Sequence, residues 1–241
     1  MNASSNSSEG RGLPLHHLVR RSVAVAVADV AVDVAADGGA CLLLLHGVGS
    51  NETNLVAFAQ AQDPRLTVIL PRGPLAFGPG QHGWFNVSFM AAGPVIDPAQ
   101  AEASRAMLVS FIEGLPAAYG IAADKVWIAG FSQGGIMSAG VGLTRPDKAA
   151  GFGILSGRIL PEIAPLIAGA DALRKSRAYV SHGVQDNKLT VEYARDARRL
   201  LNEHQIPTTY REYAAGHELN AEMQGDFIAW MTQQLDAAAG Y

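Results

Sequence analysis

An α/β fold built on a mostly parallel central sheet, with helices on both faces, is predicted by three observations. Short apolar runs alternate with helix-like segments along the whole chain, the pattern of right-handed βαβ crossovers. Candidate reactive side chains follow the ends of those runs, where open parallel sheets build their sites. The chain has 241 residues, 49% hydrophobic and 17% charged, enough for one sizeable core without a second domain.

The first fifteen residues, beginning "MNASSNSSEGRG", are rich in Ser and Asn and read as a disordered arm. Residues 16–241 are expected to form a single domain. Arg20 and Arg21 precede an Ala–Val run, but Asp29 and Asp33 interrupt it, which argues against an export signal. The Val–Ala alternation suits one or two early strands. His16 and His17 are assigned to the arm. Ala40–Leu45 is almost continuously apolar and suits a central strand buried on both faces. "HGVGSNETNLVAFAQAQ" follows as a glycine turn and a helix, and "RLTVILPRGP" as a strand ending in a Pro/Gly turn.

The stretch Leu75–Pro94 shows no regular period and is expected to be a loop. Asp97–Tyr119 has helical spacing, with Ala101, Met107, Leu108, Phe111, Ile112 and Leu115 on one face. Lys125–Ala129 reads as strand and Gln133–Leu143 as helix. "AAGFGILSGRIL" gives strand and loop, then a Pro-punctuated segment runs to about Ala170. Three segments close the alternation: strand "SRAYVSHGVQD" with helix "TVEYARDARRLLNEHQ", strand and turn "PTTYREYAAGHE", and helix "NAEMQGDFIAWMTQQL".

Between the fourth of these strands and its helix stands "GFSQGG". A G-x-S-x-G at a strand-to-helix junction forms a tight elbow that lifts its serine above the sheet. Side chains at 130 or 134 would collide where the chain doubles back, so glycine is needed at both. Ser132 then lies at a helix N-terminus, where the dipole favours developing negative charge. A hydroxyl becomes a nucleophile only when a base takes its proton, and that base needs an orienting carboxylate. The order Ser, acid, His is met by Asp186 in "SHGVQD" and His217 in "AAGHEL".

The other histidines fit less well. His204 ends a helix facing solvent. His46 and His182 each follow an apolar strand and precede glycine, so they are expected to brace loops, and His82 precedes the serine. Asp171, Asp196 and Glu218 read as solvated carboxylates. An oxyanion requires two preorganised backbone donors. Gln133 N–H supplies one by position, and Val48 N–H, between the glycines of "LLHGVGSN", is the candidate for the other.

Together "LLHGVGSN", "LPRGP", "GWFN", "GFSQGG", "SHGVQD" and "AAGHEL" resemble the phospholipase/carboxylesterase branch of the α/β-hydrolases. The resemblance runs from about Leu42 to the C-terminal helix. It implies an α/β-hydrolase fold, carboxylic ester hydrolysis through Ser132, Asp186 and His217, and no metal or organic cofactor. Two departures stand out: "DNKLTVE" follows the acid where the family often has Val-Pro, and Ser50-Asn51 follow the first glycine motif. The second tilts the expectation toward a bacterial-type carboxylesterase over a protein depalmitoylase. Thioesterase or lysophospholipase activity, acyl transfer to an alcohol or amine, and a non-catalytic binder on the same fold are the alternatives.

Phe77, Trp84 and Phe85 are the candidate substrate-pocket residues, with Phe89 and Met90 in the same loop; any one of them could equally be core filling. Ile159–Ala170 could form a flap or a buried connection. The expected partner is a small-molecule ester, with a homodimer as a second possibility. A net charge of −4 leaves no basic footprint for nucleic acid. No stretch approaches the ~20 apolar residues of a membrane span. The single cysteine, Cys41, reads as a buried strand residue, and one cysteine suits a reducing, cytoplasmic setting.

Overall fold

A computed structural model describes residues 12–22, 39–90 and 93–240. In chain order the elements are β1 (His17–Arg20), β2 (Cys41–Leu45), α1 (Val56–Gln60), β3 (Thr67–Pro71), β4 (Leu75–Gly78) and β5 (Gln81–Gly83). Next come β6 (Val87–Met90), β7 (Gly93–Ile96), α2 (Pro98–Tyr119), β8 (Val126–Phe131), α3 (Gln133–Thr144) and β9 (Gly151–Leu155). A 3-10 segment, Pro161–Leu166, leads to α4 (Ala170–Leu173), β10 (Arg177–Gly183), α5 (Glu192–Glu203), β11 (Thr208–Tyr213) and α6 (Ala221–Ala239).

Seven strands form the main sheet in the order β1-β3-β2-β8-β9-β10-β11. All neighbours are parallel except β1, which pairs antiparallel with β3, His17 opposite Pro71. The chain steps outward from β2 to β3, then returns to β8 on the other side of β2. That reversal opens a crevice beyond the carboxyl ends of β2 and β8.

Alternation along the strands divides the core in two. Leu43, Leu45, Ile128, Ile154 and Val180 face α2, α3 and α5. Leu42, Leu44, Trp127, Ala129 and Tyr179 face Phe58 of α1 and Phe227, Trp230 and Met231 of α6. Period-2 side chains from one set of strands thus feed both layers. Helix α3 is buried along its whole length, so it carries no polar stripe. Helix α2 starts where Asp97 accepts from Gln100 N–H at 3.1 Å and ends at Gly120, φ 71°, the capping pattern for both termini.

Three regions differ from the sequence-based expectations. The stretch expected as a loop, Leu75–Pro94, holds the β4–β5 hairpin and most of a second one, β6–β7, which runs on to Ile96; both lie outside the main sheet. Each has short strands and half-exposed residues, so no hydrophobic period marks it. Leu15 is buried and His17 lies in β1, where its Nδ1 donates to Leu15 O at 2.8 Å and its Nε2 accepts from Tyr119 OH at 2.6 Å. His17 is therefore part of the core, not of the arm. Helix α1 covers only five residues of its expected stretch. The early Val–Ala strands and most of the N-terminal arm lie outside the described residues. Among the described residues no helix is long and apolar enough to cross a membrane.

Candidate active site

The junction of β8 and α3 carries Ser132 at φ 54°, ψ −117°. A non-glycine residue held there stores roughly 1–3 kcal/mol of strain, so surrounding contacts must enforce it. They are backbone contacts. A Cβ at Gly130 would stand 2.4 Å from Gly134 C, and one at Gly134 would stand 2.2 Å from Leu45 O. Ser132 N–H donates to Leu155 O at 2.8 Å, tying the elbow to the next strand.

His217, in the loop after β11, places Nε2 2.8 Å from Ser132 Oγ and Nδ1 2.6 Å from Asp186 Oδ2. Asp186 follows β10, and its side chain is fully buried while that of His217 is 18% exposed. With Asp186 ionised, Nδ1 donates to it and Nε2 is left to accept the hydroxyl proton. The acid itself is heavily held. Oδ1 accepts from Lys188 N–H at 2.8 Å and Leu189 N–H at 2.9 Å. Burial pushes this carboxyl up, but hydrogen bonds from His182, His217 and the two amides outweigh it, leaving it well below the usual carboxylate range.

His182 lies beneath the acid. Its Nε2 donates to Leu189 O at 2.7 Å and stands 3.2 Å from Asp186 Oδ2. A carbonyl can only accept, so Nε2 carries the proton and donates it to Leu189 O, with the Asp186 carboxylate beside it. His46 braces the other loop: Nδ1 donates to Gly47 O at 2.7 Å and Nε2 accepts from Gly73 N–H at 2.9 Å. Burial holds its pKa below the usual imidazole value. Both histidines are loop braces, as their positions imply.

Val48 and Gln133 both line the cleft at Ser132. Neither backbone N–H is taken by a protein acceptor among the described residues. The Val48 loop is pinned from outside the sheet: Gly49 N–H donates to His82 O at 2.8 Å, His82 N–H to Ser50 O at 2.7 Å, and Trp84 Nε1 to His46 O at 3.0 Å. Sequence reasoning treated Gln133 only as a backbone donor. Its side chain also accepts from Trp84 N–H and donates to Phe85 O, both at 2.7 Å, clamping that segment to the elbow.

Of the three predicted pocket residues, only Phe85 lines the cleft, beside Val87, Phe89, Ile96, Ile136 and Leu189. Trp84 is a core residue with no exposed surface, because its indole is spent bracing His46. Phe77 lies over Gly83 on the outer hairpin, 39% exposed, and is not a wall of the cleft. Arg158 also lines it and escaped sequence reasoning, since "SGRIL" carries no motif. Leu160 and Ile163 of the Ile159–Ala170 segment are buried while Leu166 is exposed, so it is a packed connection with one open edge. Glu218 is exposed, and Asp196 pairs with Arg199. Cys41 is fully buried in β2, and burial pushes its thiol up, away from nucleophilic reactivity.

The sheet order, the strained elbow and the linked Ser, His and Asp define an α/β-hydrolase with a serine at its centre. The chain belongs to the phospholipase/carboxylesterase family, whose pattern it matches over residues 31–233. Acyl-protein thioesterase 1 of Eremothecium gossypii is 24% identical over 213 residues, 81% of this chain and 88% of that protein. The carboxylesterase SOBER1 of Arabidopsis thaliana is 24% identical over 212 residues, 82% and 92% respectively. The crystal structure of the Bacillus cereus carboxylesterase superposes with a TM-score of 0.76 at 18% identity, covering 92% of this chain and 95% of that one. This last likeness is one of fold.

Proposed function

We propose that the chain hydrolyses carboxylic esters through an acyl-enzyme on Ser132. The observation that carries the reading is the unbroken relay from Asp186 Oδ2 through His217 to Ser132 Oγ, with both links at 2.8 Å or less. His217 Nε2 takes the hydroxyl proton as Oγ attacks the ester carbonyl. Asp186 stays ionised and stabilises the imidazolium. The carbonyl oxygen, now negative, is met by the N–H groups of Val48 and Gln133 at the head of α3. His217 then protonates the departing alcohol, and water repeats the sequence to release the acid.

Ser132→Ala is expected to lower kcat by roughly 10⁴-fold or more, because the nucleophile and base act as a unit. Turnover of p-nitrophenyl esters, beside labelling of the wild type by a fluorophosphonate, measures this. Near-wild-type turnover by the purified variant would refute the assignment. The names of the curated relatives support thioester cleavage as a second reading, since the same tetrahedral chemistry serves both leaving groups. Matched esters and thioesters of one acyl chain separate the two. A cytoplasmic place of action is supported by the lone, buried Cys41.

A further inference from the structure

We infer that Arg158 receives an anionic oxyacid group, carboxylate or phosphate, carried by the substrate itself. The inference rests on the esterase reading and narrows it from esters in general to esters bearing a second, negative group. Arg158 reaches the cleft because the chain leaves β9 through a forced turn. Ser156, fully buried, adopts φ 49°. Gly157 then passes so close to the elbow that a Cβ on it would stand 3.0 Å from Ser132 O. The next residue projects beside the nucleophile, and Arg158 shares the cleft wall with Ser132, Gln133 and Val48.

The guanidinium is positioned but not neutralised. Its Cζ lies over the Tyr193 ring, 5.1 Å from the centroid, a cation–π contact. Such a contact gives no N–H donor of the guanidinium an oxygen acceptor, so hydrogen bonds to an anion remain open to it. Among the described residues no carboxylate pairs with Arg158, and its Nε is buried with no acceptor. Nearby acids are already engaged. Asp186 is bound to His217 and two amides, and Asp196, which lines the cavity on the far side of Arg158, pairs with Arg199.

A second cation stands at the lip: Lys188 Nζ lies 5.7 Å from the ring of Phe89, which lines the cleft. The remaining walls are apolar. An apolar slot beside a nucleophile, with a preorganised guanidinium in its wall, suits an acyl or alcohol portion ending in an oxyanion. The chain as a whole is acidic, with net charge −4, so the attraction for an anion is local to this wall.

The test compares two anionic probes with neutral partners. Mono-p-nitrophenyl glutarate against p-nitrophenyl valerate places a carboxylate on the acyl side, and 4-acetoxyphenyl phosphate against phenyl acetate places a phosphate on the alcohol side. The readout is the anionic-to-neutral ratio of kcat/KM. For at least one pair this ratio should fall about tenfold in Arg158→Gln and by less in Arg158→Lys, which keeps the charge but not the planar donor set. The pair that responds identifies the side and the anion.

Binding is read separately from turnover. Glutarate or inorganic phosphate should raise the melting temperature of Ser132→Ala, and should not do so when Arg158→Gln is added. Ratios equal within twofold across all three proteins for both pairs, with no melting shift, would overturn the anion site. Absence of any ester turnover by the wild type, with the melting shift intact, would overturn the esterase reading and leave the anion site standing.

Discussion

The two loops that face Ser132 Oγ are built differently. The elbow at 130–134 is determined locally: Gly130 and Gly134 sit four residues apart and their own backbones touch. The loop at 46–49 is determined at a distance. Gly73 fixes His46, and the hairpin region fixes the rest through His82 and Trp84. One half of the site is therefore written in five consecutive residues, and the other is spread over nearly forty. A donor that must be preorganised can be held rigidly either way, but the two designs should fail differently when damaged.

Gly134→Ala attacks the local design and should have the largest effect of the substitutions that spare the triad. Its Cβ meets Leu45 O at 2.2 Å, and backbone on both sides cannot yield. A loss of about 3 kcal/mol in stability is expected, at the upper end for overpacking, together with a kcat reduction of about 10²-fold. Urea denaturation and ester kinetics report both. Wild-type stability in this variant would show that the elbow is looser than its contacts imply.

Gln133→Ala cuts the strap between the two designs. The backbone N–H at 133 remains, while Trp84 N–H and Phe85 O lose their partners. Stability should fall by about 1–3 kcal/mol, the cost of stranding buried polar groups, and kcat by about tenfold. Trp84→Phe tests the distant design more gently: the indole donor to His46 O is lost, together with part of a buried ring's volume, while the backbone strap to Gln133 stays. A threefold to tenfold fall in kcat, about 1 kcal/mol, with KM little changed is expected. Equal effects on kcat from Gly134→Ala and Trp84→Phe would erase the distinction between the loops.

The smallest effect concerns pH. The Asp186 carboxyl is depressed in the folded chain, so the unfolded chain binds a proton first as pH falls below about 3.9. Its contribution is fully present above that value and is lost as pH drops through the lower, folded pKa. Wild-type stability should consequently fall more steeply than that of Asp186→Asn below pH ~4, by urea midpoint. Parallel curves would mean that the acid is not held by its four donors.

The uneven legibility of the sequence follows from the same contrast. Ser132, Asp186 and His217 could be read because each follows the end of a strand, β8, β10 and β11 in turn, and strand ends in a parallel sheet all open on one rim. Gly130 and Gly134 could be read because their contact is only four residues long. Residues 75–96 could not, since β4–β7 are two-stranded ribbons without a buried face to impose alternation. Trp84 resembled a pocket aromatic because composition does not reveal that its N–H has a partner 38 residues away. His17 was hidden by brevity: four residues of antiparallel edge strand give too little pattern to separate from an arm. Arg158 left no mark, because its placement depends on a buried turn at Ser156.

Strands β2 and β8 adjoin in the middle of the sheet, whereas the ribbon from Val87 to Ile96 hangs beside it as an appendage. The nucleophile is thereby anchored at the middle of the sheet, and much of the cleft wall, Val87, Phe89, Pro94 and Ile96, comes from outside that sheet. A longer or differently shaped ribbon between Asn86 and Asp97 would recast the wall that meets the substrate, without touching either hydrogen bond that links Ser132, His217 and Asp186.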